Sequence, residues 1–315
     1  MRAAIRFWVF ALMLAALALP AHATVYYVAV GGLGGEPDYE QRFAALIKDI
    51  EKILKESNGN AKVYALSGGD ATRARITEVM GQVASEAHPD DDFLLFLVGH
   101  GTFDGVEYKF NLPGPDLSAA ELAALCDKIP AKRQLVVNTT SASGGALAAL
   151  EKPGRGVIAA TKSGTEKNAT VFARYWVEAL RDANADVDKN EAISAMEAFQ
   201  YATRKTADFY ESQKRLATEH AIFDDTGKSA EGVRAASTEG GEGLLLSSFT
   251  LVRIGAAQRA AADPAKRDLL DKKEELERKV DTLKYQKAAM ADDEYKRELT
   301  AALVELARVQ AELDK

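Results

Sequence analysis

Two glycine-flanked turns in this chain carry side chains that could do acyl-transfer chemistry. The continuous apolar run Phe93-Leu-Leu-Phe-Leu-Val98 delivers Gly99-His100-Gly101. Flanking glycines leave the imidazole exposed and let another backbone approach closely. The run Leu135-Val136-Val137 delivers Asn138-Thr139-Thr140-Ser141-Ala142-Ser143-Gly144-Gly145, a hydroxyl-rich turn that leads into a short helix. If the two runs are neighbouring strands, a histidine base faces a hydroxyl nucleophile beside backbone N–H donors. Each turn taken singly has a plainer reading, in which Thr139 to Ser143 cap the following helix and His100 is a loop histidine.

A second constellation gathers hard oxygen ligands. Asp186-x-Asp188-x-Asn190-x-Ala192-Ile193-Ser194-x-x-Glu197 follows the spacing of an EF-hand loop, with the backbone carbonyl of Ala192 at the seventh position. Glu191 stands where that turn normally takes glycine, and a left-handed backbone there carries a penalty for a side chain. Two readings stay open: a calcium site, or a solvated acidic loop capping the helix that runs on through Phe209.

The elements that must position these groups alternate between strand and helix patterns. Val25 to Val30 reads as a buried strand opening into Gly31-Gly32-Leu33-Gly34-Gly35, a glycine run without the order of a phosphate-cradling motif. A helix follows from Asp38 to Ser57, with Phe43, Leu46, Ile47, Ile50, Ile53 and Leu54 on one face. Lys62 to Leu66 reads as a strand, and Asp70 as the cap of a helix through Val83. Ser118 and Glu121 have the spacing of a capping box for a helix ending near Asp127. Gly156 to Ala160 and Leu244 to Ile254 are read as further core strands, with a helix from Val171 to Arg181. This alternation predicts an α/β domain with a mostly parallel central sheet covered on both faces.

Together the two turns resemble the caspase/legumain superfamily of cysteine peptidases, in which an apolar strand runs into His-Gly and a later one into a turn ending Ser-Gly. Legumain-type members carry the nucleophile as Cys-x-Ser-Gly, and Ser141-Ala142-Ser143-Gly144 falls on that pattern. The resemblance spans Val25 to Ile254 and implies a caspase-like three-layer sandwich. It assigns His100 to the histidine position, Ser141 to the cysteine position, and the backbone N–H groups of Gly101 and Ser141 to the oxyanion site. Serine in place of cysteine is the departure. A thiolate is available near neutral pH, whereas a serine hydroxyl must be deprotonated by a well-oriented imidazole during attack. The lone cysteine, Cys126, lies at an apolar position in a helix and reads as core packing.

Composition and the chain ends complete the expectations. Arg2 and Arg6 precede an apolar stretch, Phe7 to Leu19, that is too short to span a bilayer, and Ala21-His22-Ala23 offers a cleavage pattern. Met1 to Ala23 is therefore expected to be an export leader, placing the remaining 292 residues in a secreted or periplasmic setting. Loss of both arginines takes the formal charge from -7 to -9, which argues against nucleic acid or anionic lipid as the main partner. The domains are expected at 24–256 (α/β) and 263–315, a coiled-coil hairpin. In the hairpin, Leu269, Leu276, Leu283 and Met290 set one heptad frame, and Leu299, Leu306 and Leu313 set a second. Three functions are in view. The first is an impaired pseudo-peptidase that binds peptide or protein, needs no cofactor beyond the calcium its loop would take, and associates through the hairpin. The others are an active hydrolase using Ser141 and His100, and a coiled-coil assembly module on an inert α/β platform.

Overall fold

The computed structural model describes residues 23–57 and 60–315, so the expected leader lies outside the described residues but for Ala23. Strands β1 (Val25–Gly31), β2 (Ala61–Leu66), β3 (Asp92–Val98), β7 (Arg133–Asn138) and β8 (Arg155–Ala159) form a parallel sheet in the order β2-β1-β3-β7-β8. A sixth strand, β10 (Ile222–Asp224), adds antiparallel to β8. Three short strands, β4 (Gly101–Phe103), β5 (Tyr108–Phe110) and β6 (Leu117–Ser118), make a separate antiparallel sheet directly after His100. β9 (Ala192–Ser194) pairs with β11 (Thr250–Arg253).

The apolar runs are continuous because both faces of the sheet are covered. Alternate residues of one strand enter two different cores. Leu94, Phe96 and Val98 join Tyr27 and Ala29 beneath the helices α1 (Pro37–Ser57), α5 (Phe172–Ala179) and α6 (Ala195–Ser212). Phe93, Leu95 and Leu97 join Tyr26, Val28 and Val30 beneath α2 (Arg73–Glu86), α3 (Ala119–Asp127) and α4 (Leu147–Leu150). Cys126 is fully buried in the second core and its thiol is pushed up to about 11 by that burial, so it packs rather than reacts.

Two expectations are corrected. The cap of α2 is Thr72, whose hydroxyl accepts the Arg75 N–H, while Gly68 to Asp70 form a 3-10 turn before it. Leu244 to Ile254 is not one core strand. Leu244–Ser248 is a short helix, α7, whose first turn is anchored by Asp225, a carboxylate that accepts the Gly243 and Leu246 N–H groups. Only Thr250–Arg253 extends, and it pairs with β9 outside the main sheet, while the Tyr27 hydroxyl donates to the Leu251 carbonyl.

After α8 (Gly255–Ala262) the chain forms the expected helical pair, α9 (Arg267–Gln286) and α10 (Asp292–Leu313). The break between them falls where the heptad phase changes. α9 is bound to the α/β domain: Arg253 makes a two-pronged pair with Glu274, Lys273 Nζ bonds the Asn190 carbonyl, and the Tyr285 hydroxyl bonds the Glu242 carbonyl. No described helix is long and apolar enough to cross a membrane.

The layered core sets a stability expectation. Leu95 is fully buried in β3, and Leu95→Ala should lower the unfolding free energy by about 2–5 kcal/mol, the range for a leucine removed from a packed core. Urea unfolding followed by circular dichroism reads this directly, and a loss under about 1 kcal/mol would mean the site collapses around the cavity.

Candidate active site

The parallel pairing of β3 and β7 brings the two turns together. Leu97 lies opposite Asn138, and Thr139 bonds the Leu97 carbonyl through both its N–H (2.9 Å) and its hydroxyl (2.6 Å). Both strands therefore end on one edge of the sheet, where loops converge in open α/β folds. The next turn seats Ser141 on the backbone of Gly101. Gly101 N–H donates to Ser141 Oγ at 3.1 Å, and Ser141 Oγ donates back to the Gly101 carbonyl at 3.1 Å. A side chain at Gly101 would meet the Ser141 carbonyl at 2.5 Å and the Tyr108 ring at 2.5 Å, so only glycine allows the approach.

The turn is held from below by a buried polar network. Asn138, Thr139, Thr140, Ser141 and Ser143 are all 2% exposed or less. Tyr108 from β5 bonds Thr140 Oγ1 at 2.7 Å, and Thr140 bonds Asn138 Oδ1 at 2.8 Å. Burial pushes the Tyr108 hydroxyl up to about 12, so it stays protonated as a donor. Ala142 takes a left-handed backbone at φ 56, costly for a residue with a side chain. Its N–H is fixed on the Glu166 carbonyl at 2.8 Å, which offsets part of that cost. Ser143 interlocks with Thr161 by a side-chain bond and by accepting the Thr161 N–H. Thr139, Thr140 and Ser143 are thus engaged in holding the turn.

His100 is oriented elsewhere. Its ring lies edge-on to Tyr39 at 4.7 Å and Phe43 at 5.3 Å, both from α1, with the Gly34 backbone of the loop after β1 beside it. Burial holds the imidazole below its ordinary value near 6.5, so it is neutral at pH 7. No hydrogen bond joins His100 to Ser141 among the described residues. Of the two expected oxyanion donors, Gly101 N–H is occupied by Ser141 Oγ, while Ser141 N–H has no acceptor among the described residues. The side-chain directions around Tyr39 and Gly34 carry no signal in local sequence, because they follow from how α1 packs.

The acidic loop brings three of its carboxylates together. Carboxylate oxygens of Asp186, Asp188 and Glu197 lie within 4.8 Å of one another. Ser194 and Glu197 form a reciprocal capping box at the start of α6. Asn190 Oδ1 accepts the Ala192 N–H, and Ile193 pairs into the short β9–β11 sheet. Glu191 takes the left-handed backbone, φ 66, that the sixth position requires. Its penalty is offset because its carboxylate accepts the Ala257 N–H at the start of α8 and its carbonyl accepts the Ile254 N–H. Burial, then the Glu197 charge, pushes Asp188 up to about 6. Crowded hard oxygens of this kind fit a divalent cation, and the same side chains also serve as backbone caps.

The His100 environment sets its titration. The ring proton signals should give a pKa below the ordinary value near 6.5, and Tyr39→Ala, which opens the ring to water, should raise it. Proton NMR titration checks both, and a value at or above the ordinary one would contradict the buried orientation.

No protein-family model matches the chain, and no curated protein does. Among solved structures, the chain is similar to the initiator caspase Dronc of Drosophila at 12% identity, over 67% of this chain and 85% of that one, with a TM-score of 0.43. It is similar to caspase-1 from Spodoptera frugiperda at 13% identity, over 65% of this chain and 87% of that one, with a TM-score of 0.46. A protein from Geobacter sulfurreducens is similar at 14% identity, over 68% of this chain and 98% of that one, with a TM-score of 0.45.

Proposed function

We propose that this chain is an exported peptidase-fold protein of the caspase/legumain type that binds peptide or protein segments without turning them over. The observation that carries this reading is the hydrogen bonding of Ser141. Its single hydroxyl proton goes to the Gly101 carbonyl, and its lone pair takes the Gly101 N–H. A serine nucleophile needs that proton aimed at a base, and no hydrogen bond joins Ser141 to His100 among the described residues. The helical pair is proposed to serve association through α10, since α9 is committed to the α/β domain.

A serine-hydrolase reading has one observation in its favour. His100 and Ser141 follow neighbouring parallel strands that end on one edge of the sheet, which suits an imidazole base and a hydroxyl nucleophile. Hydrogen bonds at such sites also tighten only when substrate arrives. We further propose that the 186–197 loop takes calcium through Asp186, Asp188, Asn190, Ser194, Glu197 and the Ala192 carbonyl, as a structural ion.

One substitution separates the first two readings. Ser141→Cys restores a nucleophile that ionises without a strong base. The natural protein should cleave nothing in a peptide library and resist fluorophosphonate, while the cysteine variant should be labelled by thiol-directed acylating probes, less so with His100→Ala added. Fluorophosphonate labelling of Ser141 that vanishes in His100→Ala would establish the hydrolase instead. For calcium, a concentration of 100 times Kd contributes about 2.7 kcal/mol to the folded state, a rise of several degrees in Tm. No rise at millimolar calcium, or the same rise in the double variant Asp186→Ala, Glu197→Gln, would refute the ion site.

A further inference from the structure

Away from the Ser141 turn, α6, the segment 217–221 and the start of α5 enclose a cavity of about 210 Å³. Phe172, Ala207, Ala217 and Ala221 give it apolar walls, and Tyr210 closes one side with its hydroxyl already bonded to Thr218 and Glu219. It is smaller than the roughly 300–1,000 Å³ that drug-sized ligands occupy. It therefore holds one side chain of leucine or phenylalanine size rather than a cofactor.

Two polar features on this cavity are left over by the fold. Arg234 is exposed on its lining and makes no ion pair among the described residues, although the chain is acidic overall with formal charge -7. Its backbone is fixed, because the adjacent Val233 exchanges both hydrogen bonds with Phe223 of β10, at 2.8 and 2.7 Å. In the wall, the hydroxyl oxygens of Thr203 and Thr206 are sealed and have no hydrogen-bond partner among the described residues. Glu219, the one acid on the lining, is turned inward, where it accepts the Val171 and Phe172 N–H groups and the Tyr210 hydroxyl.

We propose that this cavity captures the C-terminal residue of a peptide, with an apolar side chain in the cavity and its carboxylate on Arg234. Free guanidinium at an apolar mouth selects an anion attached to an apolar body. A short fatty acid shares that chemistry. The small volume favours a single residue at a chain end over a longer acyl tail. Neither Ser141 nor His100 lines this cavity, and the proposal does not depend on the reading given for them.

Calorimetric titration of the full chain tests this with N-acetyl-phenylalanine, its C-terminal amide and hexanoate as probes. N-acetyl-phenylalanine should bind one to one, at least fivefold tighter than either the amide or hexanoate. Arg234→Gln should bring the acid down to the level of the amide, and Ala207→Trp, an exposed position that fills the mouth, should abolish binding while leaving the thermal melt in place. Ser141→Cys should leave the titration unchanged, so failure of the Ser141 reading and failure of the cavity are told apart. No saturable binding at ten millimolar, binding that survives Ala207→Trp, indifference to Arg234→Gln, or hexanoate binding as tightly as the acylated residue would each overturn the assignment.

Discussion

The pairing of β3 with β7 is the constraint on which the site depends. Thr139 ties to the Leu97 carbonyl through both its N–H and its hydroxyl, so the end of one strand is stapled to the end of the other. A shift of one residue in this register would turn every side chain of β3 to the opposite core. The register is fixed because Leu94 and Phe96 fit beneath α1 and α5 whereas Leu95 and Leu97 fit beneath α2 and α3. Ser141 therefore inherits its position from core packing several residues away. The close approach at Gly101 then follows, since that backbone is the start of β4 and has nowhere else to go.

That packing explains what could be read beforehand. Phe93 to Val98 and Leu135 to Val137 were legible as buried neighbours because a continuous apolar run is stable only where both faces are covered. The capping boxes at Ser118 and Ser194 were legible because each depends on two residues three apart. Thr72 was missed in favour of Asp70 because both residue types cap helices, and only the backbone of Gly68 to Asp70 decides between them. β10 escaped notice because three residues, Ile222 to Asp224, carry no periodicity, and their pairing with β8 is purely tertiary. The residues of the site were visible from their types. The direction of the His100 ring was not, because Gly34, Tyr39 and Phe43 reach it only through the placement of α1.

The contrast between serine and cysteine gains its meaning from this geometry. A cysteine at position 141 would meet the same Gly101 N–H as a donor to its sulfur. A hydroxyl with its proton directed to the Gly101 carbonyl is in its neutral resting form. To attack, it must break that bond and give its proton to a base, and no hydrogen bond joins it to His100 among the described residues. The same backbone that positions Ser141 therefore holds its hydroxyl proton on the Gly101 carbonyl.

The acidic loop and the helical pair belong to one mechanical unit, and Glu191 is the residue that joins them. At the position where glycine would relieve strain, a glutamate supplies the cap that Ile254, without a side-chain hydrogen bond of its own, cannot give to α8. Lys273 of α9 then reaches back to the Asn190 carbonyl one residue earlier, and Arg253 at the end of β11 pairs with Glu274. Removing one member of a buried pair of this kind leaves charge uncompensated. The strain at Glu191 is therefore sustained by contacts with the C-terminal helices, and those helices are oriented by the loop. A glycine at 191 would relax the backbone and in the same step release the start of α8, which is why the loop departs from its usual pattern where it does.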